Sequence, residues 1–222
     1  MTQPKATPSP PKSFHVYIDF DRTLFDTPRF SNDLSQTVAK YANVSLEQTR
    51  IDAAAFYTHA VLRSFDFEAY VAVYGLDPEV MLERVSQLVH THDYLYADSA
   101  NFIQALHKDS LSPKILSFGE HRFQHAKIAP TLTQLFNGPQ PATFETHVIL
   151  EPKGPHIALK HPGERGVLVD DIPDQNLPVG FSEIHLDRET ELEQPQPKTG
   201  GFVASNLKQA YQLIAQIAQA NR

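Results

Sequence analysis

Cysteine is absent from the 222 residues, which excludes disulfides, thiolate zinc sites and cysteine nucleophiles. An excess of positive charge is absent too. Lys and Arg number 19 against 26 Asp and Glu, for a formal net charge of -7 and a pI near 5.8. That balance argues against a nucleic-acid-binding surface. It still admits a small phosphorylated ligand, because a bound metal can invert the local sign of charge. No apolar run approaches membrane-spanning length, and no secretory leader pattern precedes the first strand. The expectation is a cytoplasmic protein with no membrane or nucleic-acid partner, monomeric or weakly dimeric. Hydrophobic residues at 41% and charged residues at 20% are ordinary for a globular chain. The length suits one core, or a core with a modest insertion.

The chain is organised around Phe14-His15-Val16-Tyr17-Ile18-Asp19-Phe20-Asp21-Arg22-Thr23-Leu24-Phe25. A short run rich in aromatic and β-branched residues reads as a buried strand. It ends in two carboxylates one residue apart, followed by a threonine. In an open α/β sheet, ligands sit beyond the carboxyl ends of the strands. Two acids placed there can hold a divalent cation, and one can also serve as a nucleophile. A calcium loop is excluded, since its sixth and twelfth places hold Leu24 and Phe30 in place of glycine and an acid.

Ahead of this strand, residues 1–12 carry Pro4, Pro8, Pro10 and Pro11 and read as a disordered tail. Pro28 suits the first turn of a helix. From Phe30 to Lys108 the periodicity is helical. Leu34, Val38 and Tyr41 share a face, with Ser31 or Asn32 as caps. Further helices are predicted over Leu46–Leu62, over Asp66–Tyr74, from Pro78 and from Asp98 or Ser99. After Pro113 the pattern alternates. Strands are predicted at 114–119, 146–150, 167–169 and 183–186. Helices are predicted over Glu120–Ile128, Pro130–Phe136 and His156–Lys160. Residues 187–201 read as an acidic loop, and Ser205 caps a last amphipathic helix. Alternating strands and helices imply a parallel sheet with right-handed crossovers.

Four strands thus end in Asp19/Asp21, Ser117, Lys153 and Asp170/Asp171, and a parallel sheet would bring those ends to one edge. Asp-x-Asp-x-Thr-Leu, then Ser, Lys and Asp-Asp in that order, resembles the haloacid dehalogenase-like superfamily. The resemblance implies a Rossmann-like three-layer α/β core (residues 13–28 and 109–222) with an inserted all-helical cap (29–108). It implies a magnesium-dependent phosphohydrolase acting on a small phosphomonoester. Asp19 would be the nucleophile that forms an aspartyl-phosphate, and Asp21 the general acid and then base. Ser117 and Lys153 would hold the phosphoryl group. Phe20, Arg22, Thr23, Phe118 and Gly119 would border it. Asp19, Asp170, Asp171 and the carbonyl of Asp21 would hold Mg2+.

Lys127 rivals Lys153, although Lys153, between a strand and a helix, fits the family better. Asp174 and Asn176 could steady the metal loop. His121 and His125, four apart, read as a solvated face. Arg22 stands where the family commonly has glycine, and Gly154 stands where proline often follows the lysine. A phosphomutase, or a binding protein without turnover, remains the alternative.

Overall fold

The computed structural model describes residues 14–58, 64–138, 141, 144–173 and 175–220. The proline-rich tail, the predicted end of the second helix at Leu62 and Asp174 lie outside them. The chain opens with β1 (Phe14–Ile18) and passes into α1 (Thr27–Ala42), α2 (Leu46–Thr58), α3 (Phe67–Ala72), α4 (Pro78–Thr91) and α5 (Ser99–Lys108). Then come β2 (Pro113–Phe118), α6 (His121–Leu135), β3 (Thr146–Ile149), α7 (Lys153–Lys160) and β4 (Arg165–Asp170). The chain finishes with β5 (Phe181–Leu186), β6 (Gln196–Lys198), β7 (Gly201–Ala204) and α8 (Leu207–Ala220).

The strands form one sheet in the order β3-β2-β1-β4-β5-β7-β6. All pairings are parallel except β6 with β7. This is a Rossmann-like α/β fold. Ile18 lies beside Ile115 and Val169, so β1 is central and its carboxyl end sits between those of β2 and β4. Side chains alternate between the two faces. Val16 and Ile18 enter the large core shared with the helices, while Tyr17 enters a smaller cluster with Leu116, Leu168 and Ile157 of α7. Val167, Leu168 and Val169 are fully buried. Burial of that kind is worth about 1.5–3 kcal/mol per side chain relative to exposure.

Several local expectations are corrected. Asp26, not Ser31 or Asn32, caps α1, its Oδ1 accepting from the Arg29 N–H at 3.1 Å. Pro28 follows in the first turn, where its missing N–H costs nothing. Tyr41 does not join the buried face; it is 44% exposed beneath the Arg84 guanidinium. α6 is one helix through Pro130, where a break was expected. The Ala126 carbonyl, left without a helical donor because Pro130 has no N–H, accepts from the Ser86 hydroxyl at 3.2 Å. α7 begins at Lys153, three residues earlier than predicted. Asn206, not Ser205, caps α8, accepting from the Gln209 N–H. Asp98 also serves α8, accepting from the Leu207 N–H, and offers no side-chain cap to α5. The supposed acidic loop contains β6 and ends where β7 begins.

α1 to α5 all lie in the segment between β1 and β2, and of these α5 packs on α8 and β2. Phe30, Leu34 and Val38 of α1 join the same apolar core as Val16 and Ile18.

Candidate active site

Asp19 stands one residue past β1, its N–H donating to the Val169 carbonyl at 2.8 Å. That bond ties it to the end of β4, where Asp170 is the last residue. Lys153, the first residue of α7, donates from Nζ to Asp19 Oδ1 and to Asp170 Oδ2 at 2.7 Å. Asp19, Lys153 and Asp170 are all buried. Asp170 Oδ1 accepts from the Ile172 N–H at 2.9 Å, which fixes the turn that presents Asp171.

Asp19, Asp170 and Asp171 each offer a carboxylate oxygen, all within 4.8 Å of one another. When ionised they face a single ammonium, leaving an excess of two negative charges in a buried space. Burial pushes the Asp19 carboxyl well up, Lys153 opposes that, and Asp170 and Asp171 add to it. Asp171 is pushed up to about 6, by burial first and then by Asp170. Burial alone would lower the Lys153 ammonium, but Asp19 and Asp170 carry it above the ordinary lysine value. Crowded carboxylates of this kind suit a hard divalent cation with oxygen ligands. The donor set therefore fits magnesium.

Asp21 faces a different partner. Lys127 Nζ donates to its two oxygens at 2.6 and 2.8 Å, Gln124 Nε2 to Oδ2 at 2.8 Å and the Thr27 hydroxyl to Oδ1 at 2.7 Å. Burial would raise this carboxyl, yet Lys127 with those hydrogen bonds holds it below the usual carboxylate value. Lys127 itself lies within 6 Å of the ring centres of Phe20, Phe25, Phe30 and Phe123, where cation–π attraction adds to the ion pair. The two rival lysines thus have separate partners: Lys153 meets Asp19 and Asp170, and Lys127 meets Asp21. The Asp21 side chain is not in the acidic group with Asp170 and Asp171, so its expected metal role is left to its carbonyl.

The phosphate-bordering residues divide in the same way. Ser117 and Thr23 are fully buried with hydroxyl oxygens that have no hydrogen-bond partner. Buried polar groups are nearly always satisfied, so two orphans beside an acidic cluster point to a ligand. Phe20 is fully buried and stacks on Phe25, so only its backbone could touch a ligand. The Phe118 carbonyl accepts from Gln124. Gly119, at φ +149, leaves room for Gln124, whose Nε2 would sit 2.7 Å from an added Cβ. Arg22 adopts φ +59, the left-handed region that explains the glycine common in the family. Its side chain is exposed and lines a cleft of about 320 Å³ with Tyr96, Asp171, His185, Arg188 and Glu189.

Asn176 is left-handed at φ +51, with its carbonyl against Gly154. His121 and His125 are exposed, with ring centres 6.1 Å apart, and belong to no metal-holding group among the described residues. Sequence reasoning missed Gln124 and Thr27. Gln124 and Lys127 are three apart on the helix after Ser117, so they share a face, and that spacing was a usable signal. Arg188 was also missed. It donates to the Thr23 carbonyl at 2.7 Å and to Asp98, tying the loop after β1 to the start of α5.

No protein-family model matches the sequence, and no curated protein does. Solved structures do match. A HAD phosphatase from Thermococcus onnurineus superposes with a TM-score of 0.60 at 14% identity, over 90% of this chain and 97% of its own. A magnesium-bound form of YfnB, a HAD-hydrolase candidate from Bacillus subtilis, gives 0.59 at 13%, over 91% and 99%. An L-2-haloacid dehalogenase from Xanthobacter autotrophicus gives 0.56 at 16%, over 90% and 98%. Identity this low speaks for architecture and not for substrate: the chain has the fold of the haloacid dehalogenase-like hydrolases.

Proposed function

We propose that the protein is a magnesium-dependent phosphohydrolase that acts on a small phosphomonoester through an aspartyl-phosphate. The observation that carries this reading is the pair of acids on separate lysines. Asp19 sits against Lys153 and the acidic cluster, and Asp21 against Lys127. A halide departs without a proton, so a dehalogenase has no use for an acid at Asp21. An alkoxide leaving from phosphorus needs one.

The steps balance with the residues present. A carboxylate oxygen of Asp19 attacks phosphorus, and the bond from phosphorus to the ester oxygen breaks. The proton on that oxygen comes from the Asp21–Lys127 pair. Water then attacks the phosphorus of the aspartyl-phosphate, the bond from phosphorus to the Asp19 oxygen breaks to free its carboxylate, the water's proton returns to the same pair, and inorganic phosphate leaves. Ser117 and Lys153 donate to the phosphoryl oxygens. Asp19, Asp170 and Asp171 would hold Mg2+, which supplies positive charge to the phosphate and to the ionised nucleophile.

The cleft beside Arg22 and Asp171 is large enough for a small leaving group. α1 to α4 act in this proposal as the cap over the site. Among the described residues no helix is long and apolar enough to cross a membrane, and a cytoplasmic location belongs to the same reading.

The test is phosphate release from a panel of phosphorylated metabolites with magnesium and with chelator, run beside chloride release from 2-chloropropionate. Magnesium-dependent phosphate release is the expected result. Chloride release without phosphate release would assign the site to dehalogenation.

A further inference from the structure

The opposite end of β1 carries a second cluster. Odd-numbered residues of β1 share one face of the sheet, so His15 and Tyr17 lie on the face covered by α7. His161, the residue that ends α7, places Nδ1 2.7 Å from Glu164 Oε2, and His15 Nε2 meets that same oxygen. Glu164 immediately precedes β4. Three ligand atoms from three separate elements therefore converge.

Packing sets their orientation. The His15 and His161 ring centres are 3.8 Å apart, and the Phe181 ring lies near both. The second nitrogen of His161 is 2.6 Å from the Tyr17 hydroxyl, the kind of outer partner that fixes a metal-binding imidazole. The side chains of His15 and His161 are 12% and 15% exposed, and that of Glu164 34%, so an ion and a water ligand can reach the cluster. Lys114 is the nearby cation that would oppose a metal, and it is paired with Glu145 at 2.9 Å.

We propose that His15, His161 and Glu164 form a second metal site, selective for Zn2+ or a similar transition ion, that pins the end of α7 to β1 and β4. Two imidazoles and one carboxylate suit zinc, whereas magnesium takes oxygen ligands. His15 and Asp19 are four residues apart on a strand, a separation of roughly 13 Å, so the two sites bind independently. α7 starts at Lys153 and ends beside His161. An ion at the far end would steady the helix that positions the phosphate-site lysine.

The experiment uses tag-free protein stripped with chelator and then saturated with Mg2+. Zn2+ binding is followed by calorimetry and melting temperature, and Co2+ by its visible spectrum. The expected result is one equivalent of Zn2+ bound at micromolar or tighter Kd, a raised Tm, and a Co2+ spectrum of a four-coordinate nitrogen–oxygen site. His15→Gln and Glu164→Gln should each weaken binding at least tenfold, while Asp19→Asn and His125→Ala leave it intact. Should those two variants not fold, paramagnetic broadening by Co2+ in the wild-type protein decides. The His15 and His161 imidazole signals must broaden first. Loss of Zn2+ binding in Asp19→Asn, retention in both cluster variants, sparing of those two signals, or no stoichiometric binding at all would overturn the proposal.

Discussion

Lys127 and Asp21 form a forked ion pair, 2.6 and 2.8 Å from ammonium to carboxylate oxygens, inside a ring of four phenylalanines. The lysine side chain is 3% exposed and the aspartate 25%. A pair this enclosed is costly to break from one side, because the remaining charge stays buried.

Lys127→Met should therefore destabilise the protein by about 3 kcal/mol, near the lower end for breaking a buried pair. Asp21 would lose the partner that lowers its carboxyl, and burial would push it up. The limb of the pH–rate profile set by Asp21 should move to higher pH. Chemical denaturation and a pH profile of phosphate release measure the two effects. An unshifted limb would remove Lys127 from the acid–base pair.

Asp19→Asn removes the proposed nucleophile and one of the crowded negative charges. Turnover should fall more than about 1,000-fold, as for other covalent nucleophiles. In chelator, the same variant should melt at a higher temperature than the parent, because burial and two neighbouring carboxylates disfavour the ionised form. Added Mg2+ should raise the parent's Tm more than the variant's. A variant less stable than the parent in chelator would mean that the Lys153 contact outweighs the crowding.

Asp171 gives a pH test with a definite sign. Its folded value near 6 lies above the unfolded aspartate value of about 3.9. The folded state then binds the proton more tightly. The stabilisation is complete below about pH 4 and is lost as pH rises through about 6. Asp171→Asn should consequently be more stable than the parent at pH 7.5 in chelator, with the difference vanishing towards pH 4. Mg2+ affinity of the parent should weaken as pH falls through 6. Denaturant midpoints across that range check both.

Much of this arrangement was legible in the sequence because strand ends converge by topology alone. Asp19, Ser117 and Asp170 follow runs that are buried on both faces, and such runs read clearly. β7 was not legible, since Gly201–Ala204 is only four residues long, begins with a glycine and directly follows another. The continuity of α6 was hidden for another reason. Pro130 is a helix breaker by local rules, and the Ala126 carbonyl it leaves open is satisfied by Ser86, 40 residues before Ala126. The choice between Lys153 and Lys127 as the phosphate-site lysine was open in the sequence because both follow strands of the same sheet, and only packing assigns each to its acid.

Gly154 stands where the family often has proline after the lysine, and its surroundings leave no room for a side chain. A Cβ there would lie 2.1 Å from the Gln175 carbonyl oxygen and 2.4 Å from that of Asn176, both in the loop that follows Asp171. By helix propensity alone, Gly154→Ala in the first turn of α7 should gain about 1 kcal/mol. The clash is with backbone, so neither partner can rotate away, and strain of that kind typically costs 1–3 kcal/mol. The net effect should be a loss of stability. Because Lys153 precedes this residue and Asp171 precedes the loop, any relief moves the proposed phosphate-site lysine and metal-site acid apart. Phosphate release should fall, with a higher Mg2+ requirement, although no catalytic side chain has changed. The check is a Mg2+ titration of activity beside a denaturation curve for Gly154→Ala. A variant as stable as the parent, with an unchanged Mg2+ requirement, would show that the loop gives way without disturbing the site.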